Sequence, residues 1–303
     1  YKFGAATAAV VPLAIITGIV LLAEWMFLRE RFHQVQAVSD RTGVTPVELD
    51  KSRIPLFVLV TLLCLLVVVL PLLVLVARSS SVSVYIAAIR VAHDSLLRSL
   101  LYAAVGASLL ALIGFFSGYL VHHQAMPFWR TADTLTIFLF ALPSTVIGIG
   151  LISMWNRPWT NFVYGTVAMI ILGYLAKYTA LTSRIMAAML TLIPKSMEEA
   201  GEAAGLRWLR RISSIVLPLA KKGIVAGWIV GYIFCLRDLE TTMIVYPPGH
   251  ETLPVRITTL MANSPAELIA ALCVLMVGAT VLPPALLWTL FSFNRRTLNH
   301  ETR

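Results

Sequence analysis

Long apolar runs separated by short polar stretches set the pattern of this chain. Seven runs, at approximately 4–28, 55–77, 97–121, 134–155, 162–183, 222–245 and 266–291, match the roughly 20 residues a helix needs to cross a hydrocarbon core about 30 Å thick. They predict an all-α, polytopic transmembrane helical bundle. The third run has Asp94 or Ser95 as its expected N-cap and places Gly114 and Gly118 on one face. The fourth carries Pro143 ahead of Gly148 and Gly150, which predicts a bent or locally opened helix. Near the start of the sixth, Gly223, Gly227 and Gly231 repeat every four residues, a spacing that lets helices approach closely in lipid.

One polar, basic interruption, residues 194–218, carries its own structural signals. Ser196 and Glu199 form a capping-box pattern, so a helix is expected to begin there with Ser196 as its cap. Gly205 permits a sharp backbone turn, and Pro218 disfavours helix at Leu217 before it. The segment therefore reads as two short helices bent at Gly205 and closed by the Leu217, Pro218 pair. Arg207, Arg210 and Arg211 beside Leu206, Trp208 and Leu209 would also suit an amphipathic helix lying at a membrane interface.

Composition agrees with the pattern. With 58% hydrophobic and 13% charged residues and a mean hydropathy of +0.83, the chain lies far from soluble domains, in which charged residues alone make up about a quarter. A net charge of +9 could suggest nucleic acid, but the basic residues are spread along the loops instead of forming one basic face. They act as topology signals. If 194–218 is cytoplasmic, sixteen Lys and Arg fall in segments on that side and six on the other, as the positive-inside rule requires. Residue 1 is then outside and residue 303 inside. Cys64, Cys235 and Cys273 each sit in an apolar run without a short-range partner, so buried free thiols are expected and no metal site. The chain begins at Tyr1 on apolar residues, as a piece of a longer polypeptide would. The first run is too long for a signal-peptide core.

Three charges stand out inside the sixth run. Arg237, Asp238 and Glu240 each cost about 2.5 to 3.5 kcal/mol at membrane depth on insertion scales and need compensation. On a helix Arg237 and Glu240, three apart, would pair, while Asp238 would point about 100° away. Two readings stay open: acids facing a polar translocation path, or an internal salt bridge holding a discontinuous helix. Lys177 is expected to snorkel to the headgroups, and Glu24 and Trp25 suit an interfacial belt. His122 and His123 are adjacent on a helix, point apart and make a poor chelate. Residues 246–256 contain Pro247, Pro248, Gly249 and Pro254 and cannot continue a helix.

The spacing Glu199, Ala200, Gly201, then Gly205, Ile215, Leu217 and Pro218 resembles the EAA loop of ABC importer permeases, with Gly201 where that family usually has alanine. Residues 141–150, Arg237 to Glu240 and 246–256 resemble permeases of the ferric iron, thiamine, polyamine and aminoethylphosphonate group. The resemblance implies a type I importer fold of six core spans over 55–293. The extra first span (1–28), the linker (29–54) and the tail (294–303) complete the chain. That surplus span looks like the last span of a preceding half in a fused permease, with an ordinary extra N-terminal span as the alternative. By the same resemblance Ser196, Glu199, Ala200, Gly201, Gly205, Ile215, Leu217 and Pro218 would seat a coupling helix on an ATP-binding cassette ATPase dimer. That dimer would hold ATP and Mg, and this chain would bind no cofactor of its own. Pro248, Gly249, His250 and Glu251 would meet an extracytoplasmic substrate-binding protein, and a second permease half would complete the path.

No phosphate-binding loop, nucleophile elbow or zinc helix occurs in the sequence, so it is not expected to be an enzyme. The function implied is a multi-pass permease of the bacterial inner membrane, importing ferric iron or another small charged solute. Two rivals remain. A self-contained secondary transporter would want paired broken spans in two inverted halves, and an intramembrane enzyme would want convergent reactive groups in the apolar runs.

Overall fold

The computed structural model describes residues 52–79, 81–123 and 129–301, with Pro12, Ile15, Ile16, Gly18 and Ile19. Apart from those five residues, the first apolar run lies outside the described residues, and so does the linker up to residue 51. All described secondary structure is helical. In chain order it comprises α1 (Arg53–Arg78), α2 (Val82–His123), α3 (Trp129–Ala141), α4 (Ser144–Trp155), α5 (Asn161–Tyr164) and α6 (Ala168–Leu190). Then follow α7 (Lys195–Ala203), α8 (Trp208–Leu236), α9 (Thr242–Val245), α10 (Leu253–Leu260) and α11 (Ala266–Glu301).

Among the described residues, four helices are long and apolar enough to cross a membrane: α1, α2, α8 and α11 through Leu287. The α3 and α4 pair makes a fifth candidate, bent by 108° where Leu142 and Pro143 break the helix, as Pro143 predicts. The fifth expected span, α6, has 23 residues, but Lys177 and Arg184 keep it out of that group. Its helix also starts later than the apolar run, at Ala168, after the short α5 and a turn at Gly165.

Three other expectations are corrected. Helix α2 does not start at Asp94 or Ser95 but runs unbroken from Val82 for 42 residues, about 60 Å at 1.5 Å per residue. The sixth run breaks after Leu236, and the five residues 237–241 separate α8 from α9. Leu217 and Pro218 do not end a helix: α8 passes through them, because residues Ile212–Val216 form a π-turn just ahead. Proline lacks the N–H that an α-helix would use four residues back, and a wider turn removes that demand. The same solution occurs in α1, where Leu65–Val69 form a π-turn before Pro71.

The centre of the bundle is α2, packed against α6 and α8. Small residues permit the contact. A Cβ on Gly114 would stand 2.7 Å from Thr182 Oγ1 and 2.9 Å from that residue's backbone carbon, and one on Gly118 would stand 2.8 Å from the Ser183 carbonyl. Around this seam Ala103, Ala107 and Leu110 pack with Met169, Tyr174, Tyr178, Tyr232 and Cys235. A second cluster, Phe115, Met186, Leu190, Ile212 and Val216, fills the end that carries 194–218, the loop end below. A third, Ala88, Ala92, Leu253, Ile257 and Leu272, fills the opposite end. By contrast α1 buries none of its residues, and an apolar helix so exposed suits lipid.

Candidate functional site

At the loop end, α7 and the start of α8 form the bent pair the sequence predicts. Gly205 has φ +77°, a region open to glycine, and closes a Schellman arrangement: its N–H donates to Glu202 O at 2.8 Å and Leu206 N–H to Gly201 O at 3.0 Å. Gly201 lies buried against Ile215, whose Cδ1 would be 2.7 Å from an added Cβ. The motif spacing thus brings two of its own members together. Arg211 pairs with Glu202 across the bend. The outer surface of the pair carries Glu199, Arg207, Trp208, Leu209 and Arg210, all exposed. The capping box does not form: Pro194 is the N-cap, with no side-chain cap bond, and Ser196 and Ala200 are simply exposed on the helix.

Beside the apolar packing of Ile212 and Val216, a polar tie from this pair to the bundle runs through Glu198, next to the motif glutamate. Tyr119 donates to its Oε2 at 2.8 Å, and His123 Nε2 lies 3.0 Å from its Oε1. Residue type and charge do not distinguish Glu198 from Glu199. Helical phase could have done so, since the residue sharing a face with the buried Gly201 is three positions back.

The charges of the sixth run fall in the break between α8 and α9, and the helical pairing expected of Arg237 with Glu240 does not occur. Arg237 caps α8 and stacks over the Phe234 ring at 5.5 Å. Asp238 is buried. Its Oδ1 meets Lys177 Nζ at 3.2 Å, Tyr178 OH at 2.8 Å and Thr241 Oγ1 at 3.2 Å. Its Oδ2 accepts from Thr242 N–H at 3.0 Å and Thr242 Oγ1 at 2.9 Å, capping α9. Glu240 Oε2 accepts from Ser144 Oγ at 2.6 Å and lies 3.7 Å from Lys177 Nζ, while its side chain is 72% exposed. Ser144 in turn accepts from Lys177 at 2.5 Å.

Lys177, expected to snorkel toward the headgroups, is therefore the centre of a polar hub near the middle of α6. The hub joins the two helix breaks, at Pro143 and at 237–241. It holds two carboxylates and one ammonium, so it is one negative charge from balance when all three are ionised. Among the described residues no group of three or more His, Cys, Asp and Glu could hold a metal ion.

At the opposite end, Gly249 takes φ +79° in a turn closed by His250 N–H to Pro247 O at 3.1 Å. Pro248 and Gly249 are exposed; Glu251 lies 3.7 Å from Arg256. The turn is held to α2 twice. Tyr102 OH meets His250 Nδ1 at 2.8 Å, and Ser99 Oγ accepts from Leu253 N–H at 2.6 Å, serving one of the open amides of α10.

All three places fall within residues 111–294, apart from Ser99 and Tyr102, and that stretch matches the family described as binding-protein-dependent transport system inner membrane component. Similar proteins include the ferric transport system permease protein FbpB of Actinobacillus pleuropneumoniae, 29% identical over 49% of this chain and 22% of that one. The putative 2-aminoethylphosphonate transport system permease protein PhnV of Salmonella typhimurium is 23% identical over 63% of this chain and 72% of its own. The putrescine transport system permease protein PotI of Escherichia coli is 27% identical over 40% and 43%. The chain thus spans less than a quarter of the length of the ferric relative it matches.

Proposed function

Since the chain belongs to the binding-protein-dependent transport system inner membrane components, we propose that it is the permease of an ATP-driven importer, driven by a separate ATPase that docks on residues 194–218. Members of this family are multi-pass transport components, not enzymes. The observation that carries the docking reading is the division of labour in the bent pair. Gly201, Ile215 and Glu198 hold it to the bundle, while Glu199, Trp208, Leu209 and Arg210 stand exposed. A knob braced from behind and both apolar and charged in front suits a protein groove.

In this reading the loop end is cytoplasmic and an ATPase dimer, carrying ATP and Mg, closes against it. The turn at Pro248, Gly249, His250 and Glu251 meets an extracytoplasmic binding protein, and a second permease half faces this one across the path. Glu240 supports a path on its side of the hub. An exposed carboxylate at membrane depth is costly against lipid and is expected to face water or protein. Small charged solutes are named for the ferric, aminoethylphosphonate and putrescine relatives, and ferric iron or another small charged solute is the cargo proposed here.

The test uses the assembled transporter. Glu199→Ala removes an exposed contact, and Gly205→Pro forbids the positive φ of the bend. Both variants should insert, yet ATP turnover stimulated by the loaded binding protein should fall roughly tenfold or more. Full stimulation in both would overturn docking through this loop. A second reading, a self-contained secondary transporter, is favoured by one observation, that two broken helices meet at Lys177. Uptake that persists without any ATPase subunit would establish it.

A further inference from the structure

Both loops assigned to partners are tied to one helix. At its loop end, Tyr119 and His123 of α2 hold the two oxygens of Glu198 on α7. At the other end, Ser99 and Tyr102 of the same helix hold Leu253 N–H and His250. Tyr102 and Tyr119 are separated by 17 residues, about 26 Å of continuous α-helix. The alternative covalent route is interrupted. Helix α8 continues from the docking loop, but it contains a π-turn at Ile212–Val216 and ends at Leu236, before the break that leads to the far turn.

Polar ties differ from the surrounding apolar contacts in being directional. Glu198, with a donor on each oxygen, fixes how α7 is rotated against α2, whereas methionine and leucine contacts at the same end would tolerate a slide. Resting on the importer reading, we propose that α2 is the strut through which the state of the far turn reaches the docking loop, with Tyr119, His123 and Glu198 as the positioning residues for α7. A shift of the far turn when a binding protein seats on it would move α2 as a rigid rod, and the Glu198 tie would carry that movement into α7.

The experiment compares basal ATP turnover with turnover stimulated by loaded binding protein, in the complete transporter reconstituted in lipid. Tyr102→Phe and Tyr119→Phe each remove one hydroxyl tie. Tyr85→Phe, which removes a hydroxyl of the same helix that is bonded to Ser79 at the end of α1, serves as control. The strut requires that Tyr102→Phe and Tyr119→Phe each lower stimulation about fivefold while basal turnover and recovery of the ATPase subunit hold. The double variant should then lose no more than the worse single, because both act on one route. Tyr85→Phe should be unchanged.

Unchanged stimulation in either single, losses that multiply in the double, or loss of the ATPase subunit from Tyr119→Phe would overturn the strut while leaving the importer reading intact. Absence of stimulation in the unmodified transporter would overturn both.

Discussion

Asp238 and Glu240 are two residues apart and have different work to do. Asp238 has every lone-pair direction occupied, by a lysine, a tyrosine, two threonine hydroxyls and a backbone amide, and its side chain is 1% exposed. It belongs to the architecture. Asp238→Asn leaves Lys177 the Glu240 carboxylate but puts an NH2 donor where an acceptor oxygen met buried donors, and a buried donor left unsatisfied costs about 1–3 kcal/mol. A clear drop in the thermal midpoint of the purified protein is expected, and an unchanged midpoint would contradict the structural assignment. Glu240, largely exposed, should behave oppositely. Glu240→Gln keeps an acceptor for Ser144, so the midpoint should hold while uptake falls several-fold. Normal uptake would remove Glu240 from the path.

The acids of this pair were visible in the sequence as charges that needed compensation, but the partner was not. Lys177 lies 61 residues from Asp238, and only the packing of α6 on the break brings them together. Arg237, the nearer cation, instead turns to Phe234.

Among the elements, the seam between α2 and α6 depends on side chains that are missing. In lipid, helices gain little from apolar burial and depend on close packing. Gly114→Val would force atoms against the backbone of α6 near Thr182, and overpacking of this kind costs about 1–3 kcal/mol. Gly227→Ala, with nothing within 4 Å of its added Cβ, should be close to neutral. Thermal midpoints of the two variants check the contrast, and equal midpoints would contradict it. The regular Gly223, Gly227, Gly231 stripe was legible as spacing, yet its members are not equivalent: a Cβ on Gly223 would stand 2.7 Å from Met189, and one on Gly227 would have nothing within 4 Å.

The bent pair of α7 and α8 shows the same division between local and tertiary signals. The bend at Gly205 was legible because a positive φ is a local demand that glycine alone meets cheaply. The capping box was not, because Pro194 takes an extended ψ of 130° and starts the helix one residue before Ser196. The continuity of α8 through Pro218 was hidden too, since a π-turn leaves no mark in hydrophobic pattern.

For the whole molecule, the apolar runs gave the all-α bundle and Pro143 gave the broken span. The extension of α2 back to Val82 was missed, because Arg90, Asp94 and Arg98 look like a boundary when polarity alone is read. Loop and hub lie at different heights in the bundle, with Lys177 thirteen residues, about 20 Å of helix, from the loop end of α6. Helices α2 and α8 span the distance between them.

The most direct test of energy entering through residues 194–218 places a photo-crosslinking side chain at Leu209, which is 70% exposed on the outer surface of the bent pair, in the intact transporter in its membrane. A second probe at Pro248, at the opposite end, serves for comparison. Illumination should join position 209 to the ATP-binding subunit and leave position 248 unlinked to it. An adduct of position 209 with lipid alone, or with no ATP-binding subunit under any nucleotide condition, would contradict docking at this loop.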